Sequence, residues 1–139
     1  MATGKSKPRS KVHLLTDLAL RRFTIAANRR YFGGKININW VGFRPIPGFS
    51  GKTTFQLYDV YKPGAKQPYK EVVMACIFIA ARLRRHGDLC KMTVYHELVH
   101  AESDMLGYRG KKNSCQKSAV RFNQRMAELA QAGAFNGLW

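Results

Sequence analysis

Acidic side chains are scarce in this chain: eight Asp and Glu stand against 24 Lys and Arg, a formal net charge of +16. A surface so one-sided repels itself and weakens the compact state, so it calls for an anionic counter-surface. Nucleic acid fits best, because each phosphate contact releases a counterion and adds affinity. Long apolar runs are also missing; nothing approaches the ~18 residues of a membrane-spanning helix. "MATGKSKPRSK" has no apolar stretch behind its charges and does not read as a secretory signal. The three cysteines, Cys76, Cys90 and Cys115, are widely spaced and form no CxxC pair. That argues against a disulfide framework and a zinc ribbon, and for a cytoplasmic, nucleoid-associated chain, or one in a host cytoplasm if phage-encoded. Internal repeats are absent.

A 139-residue chain that is 45% hydrophobic and 12% aromatic is long enough for one packed domain. Residues 1–11 place Lys5, Lys7, Arg9 and Lys11 among Ser, Gly and Pro, which predicts a flexible basic arm before a single domain over 12–139. Helical spacing of Leu14, Leu15, Leu18, Leu20, Phe23 and Ile25 predicts a helix from Val12 to about Arg30. Alternation predicts strands over 35–43 and 52–61, hairpinned to each other across "RPIPGFSG", with Phe55 and Leu57 on the apolar side. The run "EVVMACIFIAARL" reads as a central strand over about 72–79, a buried helix being nearly as good by periodicity. Two further helices follow, over about 89–106, capped by Asp88, and about 114–131, burying Ala119, Phe122, Met126 and Leu129. In the tail, Phe135, Leu138 and Trp139 are candidates to dock on the core.

Histidine is rare, with four in the chain, yet two fall in His96-Glu97-x-x-His100 on the first of those two helices. This composition yields ~0.003 such matches by chance. At 100° per residue the two imidazoles stand 40° apart, one turn along a face. Val94, Tyr95, Leu98 and Val99 cover the opposite side. Two neutral imidazoles at this spacing suit Zn²⁺, and Glu97, too far round to ligate, suits a general base. The alternative is a helix with two surface histidines.

A zinc site needs a further ligand. No histidine follows His100; Glu102 points into the apolar stripe and is expected to meet an arginine, for instance from the first helix. Asp104 suits a hydrogen bond to an imidazole, and His86 would have to fold back. Cys115 reads equally as a thiolate ligand or as a small buried hydrophobe.

With these parts in view, the chain resembles the SprT-like (Spartan-type) zinc metalloprotease family over roughly residues 12–126. The likeness runs through "NRRYFGGKININW", "GFSGKT", "TVYHELVHA" and "RFNQRM". It departs from the family where a third zinc-binding histidine is expected: "NSCQKSAVRF" has none, and Cys115 is the nearest positional substitute. The resemblance implies a small α+β zincin-like fold: an N-terminal helix, a short three- or four-stranded sheet, the His-Glu-x-x-His helix and a C-terminal helix. It also implies a zinc endopeptidase acting on DNA-associated proteins, with His96, His100 and Cys115 as metal residues and Glu97 activating water. Lys5, Lys7, Arg9, Lys11, Arg109, Lys111 and Lys112 are the candidates for phosphate contact on DNA or another nucleic acid. The rival reading is a catalytically silent scaffold of the same kind that binds nucleic acid or, as a phage-encoded antagonist, an acidic host partner.

Overall fold

The computed structural model describes residues 14–105 and 115–136, the side chains of 105 and 115–119 excepted. It is α+β, with three α-helices and a three-stranded sheet. Helix α1 spans Asp17–Tyr31. It starts five residues later than its apolar spacing suggests, because the Thr16 hydroxyl caps it by accepting the Ala19 N–H at 3.0 Å. At its other end Gly33 (φ 63°) and Gly34 (φ 69°) turn the chain, and the buried Asn28 amide grips both the N–H and the C=O of Ile36.

Strands β1 (Ile38–Arg44), β2 (Gly51–Val60) and β3 (Lys70–Ala80) follow. The expected hairpin between the first two is not formed: the spatial order is β1-β3-β2, with β1 parallel and β2 antiparallel to β3. The reason lies in burial. Ala75, Ile77, Ile79 and Ala80 are fully buried, and so apolar a strand belongs in the centre, where both edges are paired. The link 45–50, held by two prolines, crosses from one flank of β3 to the other.

Helix α1 lies along the free edge of β1 rather than over a sheet face. Arg21 Nε donates to the Val41 carbonyl at 2.9 Å, and the Phe43 N–H donates to the Asp17 carboxylate at 3.2 Å. An edge placement buries only a narrow stripe, Leu20, Thr24, Ala27 and Asn28. Leu14, Leu18 and Ile25, expected on the packed face, are therefore exposed.

A short 3₁₀ turn (Ala81–Arg85) leads into α2 (Gly87–Met105), and α3 (Cys115–Gln131) closes the chain. The core sits between one sheet face and α2: Val41, Phe43, Ile77 and Ile79 meet Val94, Leu98 and Val99, with Leu129 from α3. Tyr95 is ringed edge-on by Phe23, Tyr31 and Phe135, so Phe135 docks as expected; Leu138 and Trp139 lie outside the described residues. Beyond Ala75, where β1 pairing stops, β2 and β3 continue as a bare two-stranded ribbon. Leu57 sits on that ribbon and stays exposed. Among the described residues no helix is long and apolar enough to cross a membrane.

Candidate metal and catalytic site

On α2 the helical period sorts the motif into two environments. His96 and His100 are exposed, whereas Glu97 is 5% exposed. The two imidazoles converge, with Nε2 of one 3.1 Å from Nε2 of the other. Ligands about 2.05 Å from a shared tetrahedral centre lie about 3.3 Å apart, so this donor pair fits a zinc ion. Phe122 of α3 backs both rings, edge-on to His96 and stacked on His100, and holds their orientation.

Glu97 is gripped by the edge strand. The Thr53 hydroxyl of β2 donates to Glu97 Oε1 at 2.6 Å. Gly51, also on β2, abuts the same side chain: a Cβ there would lie 3.0 Å from Glu97 Oε2 and 2.8 Å from Thr93 Cγ2. Only a residue without a side chain lets the strand come this close to the helix. Burial raises the Glu97 pKa above the ordinary carboxylate value, opposed by the Thr53 hydrogen bond and by His100. Burial, seconded by His100, lowers that of His96, which favours the neutral imidazole a metal requires.

A cleft of about 390 Å³ opens at these groups, lined by Phe49, Gly51, Thr93, His96, Glu97 and Met126 among others. It runs beside the outer edge of β2, which no described strand pairs. Among the described residues no third His, Cys, Asp or Glu joins the two histidines. His86 sits before the first residue of α2, ten positions and therefore ~15 Å of helix rise from His96. Glu102 does meet an arginine, but Arg125 of α3 at 2.8 Å rather than one from α1. Asp104 is half-buried one turn beyond His100. Cys115 opens α3 with its side chain outside the described set; Lys5, Lys7, Arg9, Lys11, Arg109, Lys111 and Lys112 lie outside the described residues altogether.

Thr53, Gly51 and Phe122 are the site residues that sequence reasoning missed. Only the glycine that opens an otherwise β-branched and aromatic strand, in "GFSGKT", signalled a close approach. No protein-family model, curated protein or solved structure matches this chain.

Proposed function

We propose that the protein is a zinc-dependent endopeptidase of the SprT-like kind, zincin-like in fold, that cleaves proteins held on DNA. The observation that carries this reading is the convergence of the His96 and His100 Nε2 atoms to 3.1 Å, with the Glu97 carboxylate buried on the next helical position. An extended peptide would lie along the unpaired edge of β2 and present its backbone to the cleft. A zinc ion held by the two imidazoles, with Cys115 as the proposed further ligand, would supply Lewis-acid polarisation of the scissile carbonyl. Glu97 takes a proton from the attacking water and returns it to the departing amine; burial raises its pKa above the ordinary carboxylate value, which makes it a stronger base for the first transfer. Thr53 holds Oε1 and so leaves Oε2, beside Gly51, for the proton. The +16 charge supports a substrate presented on nucleic acid.

Metal analysis and proteolysis of a DNA-bound protein test this reading together. Wild type is expected to carry one zinc per chain. Glu97→Gln should keep the zinc and lose about 10³-fold in cleavage rate. His96→Ala, and to a lesser degree Cys115→Ala, should lose the metal, while His86→Ala keeps it. Cleavage by Glu97→Gln at the wild-type rate would end the enzyme reading. The lack of a histidine after His100 in the sequence supports a second reading, a nucleic-acid binder without catalysis. Full DNA binding by metal-free protein, with no cleavage after zinc is added, would establish that alternative.

A further inference from the structure

A second cavity, about 730 Å³, opens on the sheet face opposite α2. Its apolar wall is Pro45, Ile46, Pro47, Phe49 and Phe78. Arg44 and Lys52 also line it, and among the described residues no carboxylate does. The loop that builds it is pinned: Arg82 donates to the carbonyls of Ile46 and Phe49 at 2.9 and 2.8 Å, and Ala80 N–H donates to the Ser50 carbonyl at 2.8 Å. A cavity held this way exists before a ligand arrives.

The two cavities share Phe49 and Gly51, so they meet around the start of β2. Strand alternation sets what each can receive. Gly51 and Thr53 turn toward Glu97, whereas Lys52 and Thr54 turn the other way, into the second cavity. A peptide strand added along β2 alternates in step. If one of its residues faces the histidine pair, the residues before and after it face the apolar cavity. Phe49, 68% exposed on the boundary, is an aromatic surface left for such a side chain to cover.

We propose that this second cavity is a specificity subsite. It takes a large apolar side chain from the residue adjoining the one held over His96 and His100. Arg44 and Lys52 select an acidic residue, two positions further along, on the same side of the peptide. The subsite rests on the peptidase reading of the cleft, but it discriminates among peptides by binding alone.

Fluorescence anisotropy on zinc-supplemented Glu97→Gln protein reads that discrimination without turnover. The probes are fluorescein-labelled decapeptides of Ser, Thr and Gly carrying Phe with Asp two positions on, Ala in place of Phe, or Lys in place of Asp. The Phe–Asp peptide is expected to bind at least ~10-fold tighter than the Ala–Asp peptide. Phe78→Ala, and the surface change Phe49→Ala should Phe78→Ala fail to fold, should reduce that preference to under about 3-fold. Arg44→Glu with Lys52→Glu should reverse the choice between Asp and Lys. Equal affinity for the Phe and Ala peptides, a preference untouched by these substitutions, or no binding of any peptide overturns the subsite. Cleavage of both peptides at one rate by wild type overturns it while leaving the peptidase intact. Discrimination in binding with no cleavage by wild type upholds the subsite and removes the peptidase.

Discussion

Glu97 is asked to be two incompatible things, a buried side chain and a carboxylate, and Thr53 and His100 only partly reconcile them. The sign of the consequence follows from proton counting. With its pKa raised in the fold, Glu97 binds a proton more readily folded than unfolded, so its contribution is complete below pH 4.5 and is lost as the pH climbs through the folded value. The amide introduced by Glu97→Gln keeps an oxygen for the Thr53 hydroxyl and carries no charge. Without metal, Glu97→Gln should melt about 4 °C above wild type at pH 7 and level with it at pH 4, measured by circular dichroism. His96 works from the other side: its lowered pKa means that unfolding takes up a proton below pH 6.5, so acid weakens the fold there. Cys90, 1% exposed, is a different case; burial pushes its thiol up to about 11, partly offset by Lys91, which marks it as a packing residue and not a ligand. The histidine pair and its glutamate were legible in the sequence because helical spacing alone brings them together. The grip of Thr53 and Gly51 was not, since it depends on which strand crosses α2.

At the scale of elements, one side chain ties all three helices. Arg125 of α3 bonds Glu102 of α2 at 2.8 Å and the C-terminal carbonyl of α1, at Tyr31, at 2.6 Å, with its guanidinium over Phe32. Glu102 is 17% exposed at its side chain, so removing its partner strands a largely buried charge. Arg125→Ala should cost about 2 kcal/mol in urea denaturation, and adding Glu102→Gln should recover about half of that. The periodicity of α2 marked Glu102 as inward-facing and in need of an arginine, but could not say which helix would supply it. The strands show the same division. Alternation located the first two, and the unbroken apolar run marked β3 as central, with a buried helix nearly as good by periodicity. The first two, β1 and β2, were nonetheless not neighbours in space, because a link carrying Pro45 and Pro47 spans a strand more readily than it folds into a tight turn.

For the whole molecule the decisive quantity is charge. Twenty-four cations against eight anions were plain in the sequence, and no folding detail alters what they imply for a polyanion. Binding to a duplex oligonucleotide should weaken by about 10³-fold between 50 and 200 mM salt, with a steep linear log–log slope in a titration followed by anisotropy. A slope near zero would mean that the excess charge serves something other than phosphate. Because α1 seals the outer flank of β1 through Arg21 and Asp17, the described fold offers one long unpaired flank, that of β2, and otherwise only the short stretch of β3 beyond Ala75. Endless strand-on-strand polymerisation needs two complementary flanks per copy, so self-association by this route terminates at a symmetric pair instead of growing into a filament. In such a pair each copy would stopper the other's cleft, making crowding itself a brake on the chemistry.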